Sequence, residues 1–483
     1  MQGGELWWRF LHIILLTLPV AGLVLWRYRR AVLAGMQDQL VAPLPVVPAT
    51  LPCAPAPSTA AGNPETARAW ERGVRRRIFA GTLLATAVPS LLLALLLVAL
   101  GDTRMSVAEV LAIAGAFCSV AVPMFAVLTA TPFWRALRLW LLTLAALAAL
   151  VTAVSILQQP FYGRAPRWGQ LAGFPRFFQL AAFLLWLPML LGLATGARRI
   201  RGVAPIAFAC LLVFGLGPPL GLAITKWLTS TQLGAALVAS GLERNAGFVL
   251  LSLPLGLLAW WRLKALARAY EAKRFSNAQL LVHTWWLLVV VFFAITQISS
   301  NPGWSPLMLI VAFSAGAYLI FPPLLAWALR RAYLGPRPPP RTLLLLRVFG
   351  ETTRTEALFD RLASRWQLFG PVTMIAAPDV IARTVDPGDI LRFALGEIGS
   401  SFITSRADLV RRMATLDGAP DADGRYRIND FCCRDSTWQV TVVALMVRAD
   451  AVVMDLRGFT LKRMGCEYEL RQLAARLQPG KCC

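Results

Sequence analysis

Long apolar runs recur through the first two thirds of the chain, separated by short polar segments rich in arginine. Nine runs read as candidate transmembrane helices, near residues 8–26, 78–100, 106–129, 138–157, 177–196, 203–224, 246–261, 279–297 and 306–328. The criterion is length: about 20 apolar helical residues match the hydrocarbon thickness of a bilayer. The seventh is the weakest, because Ser252–Pro254 interrupts it. The first is followed by Arg27, Arg29 and Arg30 rather than by small residues, so it reads as a span and not as a cleaved leader.

Beyond a proline-rich linker at 335–341, the pattern changes to that of a soluble domain over residues 342–483. Leu343–Phe349, Pro371–Ala376 and Ala451–Met454 are apolar runs of strand length. Between and after them lie helical stretches. The first opens on a capping box, Thr353 with Glu356, and runs to about Leu368. Ile390–Leu395 and Ser436–Val447 follow, and the last runs from about Met464 to Leu477. On that last helix Cys466, Leu470, Leu473 and Leu477 fall on one face, expected to meet the sheet. Strands alternating with helices predict a mostly parallel sheet covered on both sides. Residues 396–435 resist this reading and stand as an insertion. Within them Asp417, Asp421 and Asp423 lack the spacing of a calcium loop and read as a turn. The fold class expected is therefore a polytopic α-helical membrane protein of about nine transmembrane helices, residues 1–334, carrying a C-terminal cytosolic α/β domain.

Composition agrees with that division. The 483 residues are 57% hydrophobic and 15% charged, against about 25% charged in soluble domains. A net charge of +23 in a soluble protein would point to nucleic acid; here the cations gather at the ends of apolar runs, so no nucleic-acid partner is expected. One alternate set of connections (27–77, 130–138, 197–202, 262–278 and 329–341) holds 22 Lys and Arg, and the other set holds 7. The positive-inside rule then puts the N-terminus outside, the C-terminal domain in the cytoplasm and the chain in the inner (plasma) membrane, facing an anionic inner leaflet. Seven prolines within 42–66 predict a disordered cytoplasmic loop, and Arg68–Arg77 a short basic helix at the lipid surface. The basic segment 262–279 is either a dock for the C-terminal domain or a solvated connection.

Eight cysteines without a CxxC spacing, and two histidines, His12 and His283, predict no metal site. No charged residue falls near the centre of a span; Glu109 and His283 lie near the ends of theirs. The broken stretch "GLGPPLG" at 215–221 keeps a transporter with a regulatory tail open as an alternative.

Parallel sheets take ligands beyond the carboxyl ends of their strands. Gly350, Arg354, Asp379, Asp455, Arg457 and Gly458 are placed there by the strand assignment. After Asp455 comes "LRGFTLKRMGCEYEL", a polar loop and then Cys466-x-x-Glu469-Leu470 opening a helix. This resembles Toll/interleukin-1 receptor (TIR) domains, which often carry a "WCxxEL" pattern at this place; Gly465 stands where tryptophan is common. It is also similar to the nucleoside deoxyribosyltransferase group, to which Asp455, Gly465 and Glu469 correspond loosely. Both groups cleave N-glycosidic bonds. The resemblance implies Glu469 and Asp455 as catalytic residues; the strand ends offer Gly350, Arg354, Asp379, Arg457 and Gly458 as ligand contacts. It further implies NAD or a related nucleotide as substrate, no permanently bound cofactor, and a second copy of the chain as a partner through the cytosolic domain. A carboxylate held beside a ribose stabilises the positive charge that develops as the bond breaks. The alternative reading is a non-catalytic scaffold, in which Glu467 and Glu469 offset the helix dipole.

Overall fold

In the computed structural model, the described residues are 2–36, 64–100, 107–131, 133–162, 204–210, 213, 243–300, 304–334, 337–347, 359, 362–376, 387–434, 436–456 and 464–476. They are mostly helical, with a small parallel sheet in the C-terminal part. The chain packs as two units. One comprises Met1–Leu23, Arg75–Arg268 and Asn277–Ala332; the other comprises Val24–Val74, Ala269–Ser276 and Tyr333–Cys483.

The helices of the N-terminal part are α1 (Gln2–Met36), α2 (Pro64–Leu100), α3 (Val107–Cys118), α4 (Ala121–Leu128), α5 (Phe133–Tyr162), α6 (Ala204–Cys210), α7 (Glu243–Glu271), α8 (Asn277–Ser300) and α9 (Trp304–Ala332). Among the described residues two helical stretches, Glu65–Leu100 and Leu307–Ala332, are long and apolar enough to cross a membrane; the other seven expected spans are not shown. The expected spans at 177–196 and, for the most part, 203–224 lie outside the described residues.

Three expectations change. Arg68–Arg77 does not form a separate short helix: it is the N-terminal part of α2, which continues without a break for 37 residues. The run 106–129 is broken at Ser119–Val120. Pro123 has no N–H for the Ser119 carbonyl, which accepts instead from Val122 N at 3.2 Å, so the ladder tightens there. Conversely, α7 passes through Pro254 as one helix.

Hydroxyls buried on α2 are satisfied within the helix, as burial requires: Thr82, Thr86 and Ser90 donate to the carbonyls of Ile78, Thr82 and Thr86 at 2.7, 3.0 and 2.6 Å. Small residues let α2 and α9 meet closely, since a Cβ added at Gly81 would stand 2.6 Å from the Cβ of Ala328. Nearby, Arg77 Nε donates to the Ala332 carbonyl at 2.8 Å and satisfies the end of α9.

The sheet has five parallel strands in the order β3-β4-β2-β1-β5. They are β1 (Leu343–Arg347), β2 (Val372–Ala376), β3 (Phe402–Ile403), β4 (Ile428–Cys433) and β5 (Ala451–Asp455). Three strands were expected. The two extra ones come from residues 396–435, which are therefore no insertion: β4 pairs with β2 on one side and with β3 on the other. Helices α10 (Pro387–Leu395), α11 (Arg406–Ala414), α12 (Trp438–Arg448) and α13 (Met464–Arg476) belong to this domain, with residues 362–366 also helical.

Both faces of the sheet are covered. Leu344, Leu346, Ile375, Phe431 and Val452 pack with Leu409, Val443, Leu445 and Leu473 of α11, α12 and α13. Leu343, Leu345, Val372 and Met374 pack with Phe359 and Ala363 on the other face. The four leucines of β1 are at most 3% exposed. Each such burial is worth roughly 1.5–3 kcal/mol, which is why "LLLL" settles at the centre of a parallel sheet.

The linker is anchored rather than a free spacer. The Arg337 guanidinium lies 4.6 Å from the Tyr426 ring, 5.7 Å from Tyr333 and 5.8 Å from Trp70. It donates to the carbonyls of Leu368 and Gly424 at 3.1 and 2.6 Å.

Candidate functional site

Parallel pairing puts the ends of all five strands on one edge, and α11, α12 and α13 each begin beyond it, after β3, β4 and β5. Helix N-termini carry partial positive charge and unpaired N–H groups, so this edge favours an anionic ligand. Thr437 stands at the start of α12, where its hydroxyl donates to the Ile403 carbonyl at 2.7 Å and accepts from Arg434 N at 3.1 Å. Trp438 meets the Tyr468 ring edge-on, centroids 5.4 Å apart, which joins the first turns of α12 and α13.

Two of the sequence-predicted site residues are described. Asp455 ends β5, is 7% exposed and pairs in register with Arg347 at the end of β1. Glu469 lies in the second turn of α13 and is 1% exposed. Its Oε2 atom has no hydrogen-bond partner among the described residues, and burial pushes its carboxyl up to about 8. It is protonated at neutral pH. Glu467 is half-buried and accepts from Arg471 at 2.5 Å, one turn on. Gly350, Arg354, Asp379, Arg457 and Gly458 lie outside the described residues, as does the capping box of Thr353 and Glu356.

The expected stripe on α13 is corrected. The buried face is Cys466, Glu469 and Leu473, while Leu470 is 39% exposed. The helix is rolled so that a carboxyl takes the inward place that the periodicity assigned to leucine. Gly465 lies beside Trp438: an added Cβ would sit 3.7 Å from the indole, an ordinary contact.

A second polar cluster forms around the aspartates read as a plain turn. Arg427 Nε donates to both oxygens of Asp421, at 2.8 and 3.0 Å. Its guanidinium lies 3.9 Å from the centroid of the Tyr270 ring, and its Nη2 donates to the Tyr270 carbonyl at 2.5 Å. Asp417 pairs with Lys273, and Glu271 accepts from Arg392 Nε at 2.7 Å. Burial pushes the Asp421 carboxyl up to about 6 despite Arg427 beside it. The acids stand out in the sequence, in a chain with few of them, and Arg427 lies only 6 residues from Asp421; Tyr270, Glu271 and Lys273 are brought in from a distant segment, Tyr270 from 157 residues away.

No group of three His, Cys, Asp or Glu among the described residues is placed to hold a metal ion. The Cys432 and Cys433 thiols at the end of β4 are both pushed up by burial, that of Cys433 to about 12, so neither is a nucleophile at neutral pH. Compared with known proteins, the chain matches no family model, no curated protein and no solved structure.

Proposed function

We propose that this is a multi-pass inner-membrane protein that holds a cytosolic α/β domain at the bilayer, and that the domain binds and cleaves NAD or a related nucleotide at the carboxyl edge of its sheet. The membrane reading draws on the two apolar helices and on the bias of arginine among the connections. It also draws on exposed tryptophans carrying a cation on their own helix: Trp26 with Arg30, Trp260 with Lys264, and Trp327 with Arg331, at 5.6, 5.0 and 5.2 Å. Tryptophan with a neighbouring cation is the pattern of a membrane–water interface. Orientation has separate support. The described residues 27–36, 64–74 and 269–276 fall in the same unit as the α/β domain, and all belong to connections that the charge bias puts inside.

The catalytic reading is carried by Glu469. A buried carboxyl oxygen with no hydrogen bond among the described residues costs the fold free energy, and such groups concentrate at functional sites. Held neutral, it waits for positive charge. The positive charge of a bound cationic base, or of the oxocarbenium-like ribose of the transition state, would lower its pKa, so that the carboxyl gives its proton to water and the carboxylate stands beside the charge. Asp455 at the end of β5 supplies a second acid for ribose hydroxyls. The test is release of nicotinamide from NAD by the purified full-length protein. Loss of release in both Glu469→Gln and Glu469→Ala is expected; release unchanged in Glu469→Ala would overturn the assignment.

One observation favours a second reading, self-association without catalysis. Leu456, just after β5, is 43% exposed, and Leu470 on α13 is 39% exposed. Exposed apolar side chains of this size suit a contact between copies. Concentration-dependent association that Leu470→Lys abolishes, with no nucleotide turnover, would favour it.

A further inference from the structure

We infer that Ala269–Ser276, the last turn of α7 with the turn that follows, is a reversible latch whose partner is the charged edge of this chain's own α/β domain. Its charged and aromatic side chains engage that edge. Tyr270 offers its ring face and its carbonyl to Arg427, Glu271 takes Arg392, and Lys273 reaches both Asp417 and the Ala419 carbonyl. Gly388 at the start of α10 makes room for the tyrosine, since a Cβ there would meet the Tyr270 ring at 2.6 Å.

The backbone gives an independent observation. Lys273 N donates to the Tyr270 carbonyl at 3.0 Å and Arg274 N to the Ala269 carbonyl at 2.9 Å, the paired bonds of a Schellman helix end. The position after the cap in that motif is left-handed and normally glycine. Here Lys273 holds it at φ 58°, one of two non-glycine residues with positive φ among the described residues. A lysine in the glycine position makes sense if its side chain is needed, and it is the side chain that grips Asp417. Strain of this kind collects at switching elements.

The two ion pairs of this contact, Lys273 with Asp417 and Arg392 with Glu271, are only partly buried, so salt weakens them and favours release of the segment. Because α7 continues into this segment, a displacement of that helix is carried directly to Tyr270, Glu271 and Lys273. The inference does not depend on nucleotide cleavage.

The test is a carbodiimide cross-link on the full-length protein in nanodiscs. The reagent joins Lys273 to Asp417 as an amide, with the water lost taken up by the carbodiimide. The product is identified as a peptide pair, using mixed ¹⁴N- and ¹⁵N-labelled protein. The expected result is a cross-link within one chain that falls about fivefold in high salt. It should disappear in Asp417→Asn and return in the double exchange Lys273→Asp with Asp417→Lys. Lys273→Gly should leave the helix end intact, or improve it, yet speed protease cleavage in the 335–341 linker about fivefold. A cross-link found only between labelled and unlabelled chains, one insensitive to salt, or unchanged cleavage in Lys273→Gly would each overturn the latch.

Discussion

The guanidinium carbon of Arg427 lies 3.9 Å from the centroid of the Tyr270 ring, although the two residues are 157 positions apart. One residue leads into the strand next to the sheet's edge; the other closes a long apolar helix. The same guanidinium serves Asp421 through both carboxylate oxygens, so stacking and ion pairing converge on one planar group. Only arginine does both. Replacing Arg427 with methionine would leave Asp421 without its principal partner in a largely buried site, a loss of about 3–5 kcal/mol for a pair of this kind. Arg427→Lys should recover only part of it. Chemical denaturation of the full-length protein, followed through the α/β domain, checks both.

Glu469 makes stability depend on pH. Its carboxyl titrates near 8 in the folded protein and at 4.5 as the ordinary value. Between those values the folded state binds the proton and the unfolded state does not, so stability falls as pH rises through the window. The isosteric neutral substitution Glu469→Gln should remove that slope and raise stability at pH 7 by on the order of 3 kcal/mol. A thermal melt series from pH 5 to pH 8.5 on both proteins reads it directly.

Asp421 follows the same sign over a lower window, from 3.8 to about 6. Folding takes up a proton there, so acidification to pH 5 strengthens rather than weakens this residue's contribution. The difference in melting temperature between the wild type and Asp421→Asn should shrink between pH 7.5 and pH 5, where both side chains are neutral. A gap that widens on acidification would contradict burial as the main influence on Asp421.

Gly370 precedes β2, and a Cβ there would meet backbone atoms N and C of Arg341 at 2.6 Å. Backbone cannot swing aside as a side chain can, so Gly370→Ala should displace the start of β1 and β2 and cost about 1–3 kcal/mol. Gly81→Ala, whose new Cβ would meet the Cβ of Ala328 at 2.6 Å, should loosen α2 against α9 by a similar amount. Circular dichroism melts of the detergent-solubilised protein compare the two.

Residues 396–435 show where local pattern fails. β4, "INDFCC", has Asn429 and Asp430 in the middle of a strand, and its buried positions are Asn429, Phe431 and Cys433. Asn429 is tolerated inside because its amide donates to the Asp417 carbonyl at 3.3 Å; no local rule announces such a partner. α13 shows a second failure. Leu470 and Glu469 are adjacent, and hydropathy favours the leucine for the core, yet the helix buries Cys466, Glu469 and Leu473 and leaves Leu470 exposed.

The two long apolar helices and the leucines of β1 were legible from sequence, because a helix of that length and apolarity, or a strand covered on both sides of its sheet, shows as an unbroken apolar series. So were β2 and β5, bounded by turns and rich in residues that pack on a pleated surface. Tertiary structure alone decided which acids are buried, where Arg427 and Lys273 find their partners, and that the sheet has five strands. Those outcomes depend on groups brought together from distant parts of the chain, and the free energy of a polar group is set by what surrounds it in space.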